Sequence, residues 1–109
     1  MIYEWRVYKV TPGKMNALND RFANITNQLF EKHGIKIIGF WQAIIGASNT
    51  LYYMLAYDDM HHREKAWNAF ITDTAWIKAK EETVEKAGGP LVQGNTNLLL
   101  KPTAYSALQ

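Results

Sequence analysis

Between Ile2 and Val10 the residues alternate, with Tyr3, Trp5 and Val7 on one side and Ile2, Glu4, Arg6, Tyr8 and Val10 on the other. A period of two marks a strand, here with one greasy face and one mixed face. Thr11-Pro12-Gly13 breaks it and predicts a helix start, with Thr11 as the cap and Pro12 at the first helical position. Met15, Leu18, Phe22, Ile25 and Leu29 then recur at alternating spacings of three and four, which stacks them in one stripe opposite Asn16, Asp20, Asn27 and Glu31. Lys32 and His33 favour the negative end of the helix dipole, and Gly34 supplies the left-handed position that ends it.

Ile35 to Ile45 is rich in β-branched and aromatic residues, and Gly46-Ala47-Ser48-Asn49 turns into a second such run, Leu51 to Tyr57. These predict a hairpin. Asp58-Asp59 offers a cap for a helix in which Met60, Arg63, Trp67, Phe70 and Ile71 share one side. Asp73 and Thr74 interrupt that stripe, and Trp76, Ile77, Lys80 and Val84 begin another, which predicts two helical pieces or one bent helix. Gly88-Gly89-Pro90 stops it, and Leu91 to Lys101 holds a final strand. The order β-α-β-β-α-β is the ferredoxin-like split βαβ arrangement, an α+β fold with helices on one face of a four-stranded antiparallel sheet.

Helices cover only one side of such a sheet, yet the middle strands read as apolar on both: Ile37, Gly39 and Trp41 are expected to point one way, and Ile38, Phe40 and Ile44 the other. Four strands about 4.8 Å apart and about seven residues long at ~3.3 Å each leave a face of roughly 440 Å² in projection, at the upper end of what monomers expose. The simplest cover is the same surface of a second copy, because a two-fold interface needs only one self-complementary patch. A homodimer through the open sheet face is therefore expected.

Composition narrows the function classes. At 109 residues with 48% hydrophobic and 20% charged residues, the chain is expected to be a single globular domain over 1–109. It contains no cysteine, which removes disulfides, thiolate nucleophiles and cysteine-ligated zinc or iron-sulfur centres. The net charge is +2, with Lys and Arg scattered among acids such as Glu31, Glu64, Glu81 and Glu85, so no nucleic acid partner is expected. Charges at Glu4 and Arg6 interrupt what a signal peptide needs, and no apolar run reaches spanning length, so no membrane partner and a cytoplasmic location are expected.

Several short motifs then line up in order. Ile2-Tyr3-Glu4-Trp5-Arg6-Val7-Tyr8, Pro12-Gly13-Lys14, Glu31-Lys32-His33-Gly34, Gly39-Phe40-Trp41, Leu55-Ala56-Tyr57-Asp58 with Arg63, and Asp73-Thr74-Ala75-Trp76 resemble the NIPSNAP family. The resemblance implies the dimeric α/β-barrel superfamily, whose members pair sheet to sheet and often keep a pocket between sheet and helices. Wider relatives include cofactor-independent monooxygenases, lactone isomerases and haem-degrading enzymes. The resemblance carries no catalytic assignment to any residue of this chain.

The candidate pocket residues are Glu4, Arg6, Tyr8, Trp41, Tyr57 and Arg63. Glu4 and Arg6 lie two apart on the mixed face of the first strand, beside Tyr8. They read either as an ion pair fixing strand register or dimer geometry, or as a site in which the planar fork of Arg6 takes an anionic ligand. Trp41 reads as core or as a wall for a flat ligand. Arg63, where the family pattern has an arginine, reads as a surface salt bridge to Asp58, Asp59 or a neighbouring acid, or as a group at the pocket mouth. Tyr53 and Tyr57 share one face of the third strand. His61 and His62 are adjacent, diverge by about 100° on a helix and make no metal site; no cofactor is expected either. The glycines fit no phosphate loop or dinucleotide fingerprint, and no serine sits in a nucleophile elbow. Any chemistry would be of the acid-base kind. The leading reading is a homodimeric domain binding an apolar or aromatic small molecule, anionic ones included. Its rivals are a cofactor-independent monooxygenase or isomerase acting on a phenolic or lactone substrate, and a structural or adaptor dimer without a ligand.

Overall fold

A computed structural model describes residues 1–109. Strand β1 (Ile2–Val10) leads into a continuous helical stretch made of α1 (Met15–Arg21), a π-helical turn (Phe22–Thr26) and α2 (Asn27–Lys32). The hairpin β2 (Lys36–Trp41) and β3 (Thr50–Tyr57) follows, then α3 (Met60–Ile71), α4 (Thr74–Ala87) and β4 (Val92–Leu100). The sheet order is β2-β3-β1-β4 with every neighbouring pair antiparallel, the ferredoxin-like α+β arrangement. No helix is long and apolar enough to cross a membrane.

The terminators act where the sequence places them. Gly34 and Gly88 adopt φ of +75° and +81°, the left-handed conformation that costs glycine nothing. Asp59 caps α3 by accepting from the His62 backbone N–H at 2.8 Å. The break expected near Asp73 is a true helix boundary: its carboxylate accepts from the Ala75 N–H at 2.8 Å to cap α4, and also receives Lys32 at 2.9 Å and His33 at 2.7 Å from the end of α2.

Three expectations are corrected. Thr11 does not cap the first helix, which begins at Met15; its hydroxyl donates to the Pro90 carbonyl at 2.8 Å, and Thr11 to Lys14 closes a turn. Of the expected stripe, Leu18 and Phe22 are buried and Met15 and Leu29 pack against the core at its edge, but the fully buried line also takes in Arg21, Thr26 and Phe30. The π-helical turn holds more residues per turn, so positions four apart stay in line. Strand β2 ends at Trp41, leaving Ile44 and Ile45 in an exposed loop, and the register slips between Ile37 and Gly39. That bulge switches faces: Ile37 pairs with Leu55 and Phe40 with Tyr53 on the helix side, while Gly39 and Trp41 pair with Met54 and Tyr52 on the other.

The core lies between sheet and helices, built on Leu18, Phe22, Phe30, Tyr53, Leu55 and Phe70. The opposite face holds a cluster in which Trp5 stacks on Tyr52 and tilts against Trp41, both at 5.8 Å between ring centroids. Trp41 is 48% exposed there on one edge strand, and Leu98 (58%) and Leu100 (39%) are exposed on the same face at β4, the other edge. The tail covers only one end of this face, where the buried Tyr3 hydroxyl donates to the Gln109 carbonyl.

Candidate functional site

Pairing of the central strand brings Glu4, Arg6 and Tyr8 to the helix side, opposite Leu55, Tyr53 and Leu51 on β3 and Leu99, Asn97 and Asn95 on β4. Glu4 has no solvent exposure. An isolated buried carboxylate would be neutralised, but this one receives five donors from four residues: Asn97 Nδ2 at 2.7 Å, Arg63 Nη2 at 2.9 Å and Nε at 3.4 Å, Arg6 Nη1 at 3.0 Å and the Tyr57 hydroxyl at 3.3 Å. Burial pushes its pKa up; the hydrogen bonds from Arg63 and Asn97 and the charges of Arg6 and Arg63 outweigh it, so Glu4 titrates below its ordinary value. Burial and the adjacent Glu4 carboxylate push the Tyr57 phenol upward, which keeps it a donor.

Arg6 joins this hub to a second polar line. Its Nε donates to the Tyr53 hydroxyl at 2.7 Å, and Tyr53 in turn donates to the Tyr8 hydroxyl at 2.9 Å. The guanidinium carbon also stands 4.5 Å from the Trp67 ring centroid, a cation–π distance. Burial holds the Tyr53 phenol well above its ordinary range, so it stays protonated.

Beyond Arg6 opens a cavity of about 220 Å³, walled by Tyr8, Phe22, Trp67 and Trp76 and carrying Arg6, Arg21 and Lys80. It exists because α4 lies over the sheet without filling the space beneath: none of its residues is buried. Arg21 is 7% exposed. Its Nη1 donates to Thr83 Oγ1 at 3.1 Å and its guanidinium lies 5.2 Å from the Trp76 centroid, yet its Nε has no partner and no carboxylate pairs with it. Burial lowers its pKa. The Thr26 hydroxyl, also on the cavity wall, is likewise unpartnered.

Five of the six residues singled out by sequence therefore come together, in two roles. Arg6 and Tyr8 line the cavity, whereas Glu4, Tyr57 and Arg63 form the buried hub behind Arg6. Arg63 is not paired with Asp58 or Asp59 but with Glu4. Trp41 lies on the other face of the sheet against Trp5, away from the cavity. Sequence reasoning missed Arg21 and Lys80 as site residues and took Trp67 and Trp76 only as parts of helical stripes. The one signal pointing to Arg21 was its place three residues after Leu18, which sets it on the flank of the apolar stripe. His62 is fully engaged, Nδ1 accepting from the Asp58 N–H at 2.9 Å and Nε2 donating to the Gly34 carbonyl at 3.0 Å, a tautomer assigned from these partners.

The geometry agrees with what the chain is similar to. Protein NipSnap homolog 3A of Homo sapiens is 29% identical over 77 residues, which span 70% of this chain and 30% of that protein. The chain thus matches less than a third of this relative's length. A NIPSNAP family protein from Agrobacterium tumefaciens superposes with a TM-score of 0.87 at 21% identity, covering 99% of this chain and 98% of that one. An uncharacterized NIPSNAP domain protein from Burkholderia xenovorans gives 0.83 at 23% identity, covering 97% and 98%. These two likenesses show the fold. The NIPSNAP family profile matches residues 3–107, and by that match over nearly its whole length the chain belongs to the NIPSNAP family.

Proposed function

We propose that this domain binds a small apolar or aromatic molecule, with anionic character, in the cavity between sheet and helices, and that two copies pair through the open sheet face. The observation that carries the ligand reading is the combination of aromatic walls with Arg6 and the carboxylate-free Arg21. A purely structural domain would fill such a space with side chains, whereas binding sites combine apolar walls with a few convergent polar groups. Support for pairing comes from Trp5, Trp41, Tyr52, Leu98 and Leu100 on the uncovered face.

A ligand that prefers the folded state raises its apparent stability, so thermal unfolding with a panel of aromatic acids, quinols and neutral rings tests the pocket. At least one class is expected to raise the midpoint; no shift across the panel sinks the reading. Oxygen uptake or isomerisation with the stabilising compounds would turn the binder into the enzyme that the sequence left open. Sedimentation at micromolar concentration tests the pairing independently, with a 25 kDa particle, about twice the 12.5 kDa chain, expected.

A further inference from the structure

Arg21 is the buried cation that the rest of the fold leaves without a counter-ion. Along the sheet, Glu4 answers both Arg6 and Arg63. Across the cavity, the ion pairs of the helices involve other residues: Lys32 and His33 with Asp73, and Lys78 with Glu82. Arg21 has only a neutral hydroxyl and an aromatic face. Removing a charge from water without a partner is costly, and a guanidinium presents a rigid donor fork matched to a carboxylate. Its neighbours on the same wall reinforce the sign, since Arg6 and the exposed Lys80 are cationic and no acid lines the cavity.

The cavity also limits size. A space of about 150 Å³ lined by apolar side chains accommodates benzene, and this one measures about 220 Å³ with Trp67 and Trp76 among its walls. One ring with a small polar substituent fits this space.

Resting on the pocket reading above, we propose that the ligand is a monocyclic aromatic carboxylate, with its ring between Trp67 and Trp76 and its carboxylate on the fork of Arg21. Arg21, the last residue of α1, and Thr26, the last of the π-helical turn, are both buried and both line the cavity.

Benzoate and its neutral isostere benzamide form the test pair, titrated into the full chain with the indole N–H signals of its four tryptophans as reporters. Benzoate is expected to shift Trp67 and Trp76 while leaving Trp5 and Trp41 on the other face unmoved, and to bind at least about tenfold tighter than benzamide, as expected where a charged hydrogen-bonded group is recognised. Arg21→Gln should erase that difference while retaining benzamide; should this variant not fold, Arg21→Lys should narrow it. Equal binding of acid and amide to the unaltered protein overturns the carboxylate assignment and leaves the pocket standing. A preference that survives Arg21→Gln overturns the role of Arg21. If neither probe moves Trp67 or Trp76 while other compounds stabilise the fold, the ligand class is wrong; if nothing binds at all, the pocket reading itself fails.

Discussion

Arg63 on α3 reaches Glu4 on β1, its Nη2 donating to Glu4 Oε2 at 2.9 Å, and this bond pins α3 to the centre of the sheet. Because Arg6 and Asn97 converge on the same oxygen at 3.0 and 2.7 Å, one carboxylate ties together β1, β4 and α3.

Removal of that carboxylate strands two guanidiniums. Breaking a buried ion pair from one side costs about 3–5 kcal/mol, and Glu4→Ala is expected to lower the free energy of unfolding by that order, read from denaturant titration. A loss below about 1 kcal/mol would show that water reaches the hub and that its members are not interdependent.

The same group sets the acid limb of stability. Glu4 titrates below its ordinary value of 4.5 when folded, so its contribution is complete above that value and is lost as pH falls through the folded one. Asp73 acts in the same direction, held well below the usual carboxylate range by Lys32, His33 and the Ala75 N–H. Thermal midpoints are therefore expected to fall as pH drops below about 4.5, and Glu4→Gln should flatten part of that slope while lowering the plateau. An unchanged slope in the variant would assign the acid sensitivity elsewhere.

Tyr53 passes the hydrogen-bond line from Arg6 to Tyr8 and is fully buried. Tyr53→Phe keeps the ring but leaves Arg6 Nε without its acceptor, a loss of about 1–3 kcal/mol by equilibrium unfolding. Ligand affinity should drop as well, since Arg6 then has freedom to rotate away from the cavity wall; unaltered affinity would separate Arg6 from binding.

Gly39 lies under the indole of Trp41, and a Cβ built there would stand 2.8 Å from the ring. Gly39→Ala is expected to displace Trp41 from Trp5, visible as a changed near-ultraviolet circular dichroism band, with little effect on the thermal midpoint because the indole is half exposed. If the open face pairs two copies, the same substitution should weaken the dimer; an identical spectrum would mean that the indole does not rest on Gly39 in solution.

Much of the architecture was legible in one dimension. The alternation of Ile2–Val10, the hairpin formers on either side of Gly46–Asn49, the capping aspartates and the closing glycines are local signals, each acting within a turn or two of chain, and they place the elements and their order. The uncovered sheet face also follows from setting helices on one side against strands that read as apolar on both, and Glu4 with Arg6 drew notice simply as charges in a strand.

Tertiary packing decided which residues share the site. The π-helical turn at Phe22–Thr26 and the bulge that sends Trp41 to the far face are departures from regular period, and period is all that a pattern of apolar positions encodes. Beyond the nearby Arg6, the partners of Glu4 include Arg63, 59 residues away, and Asn97, 93 away, and no local rule pairs them with it. They meet because a charge buried on β1 must be answered by whatever donors the folded chain brings within reach, and Arg21 stands out because none of the acids is brought to it.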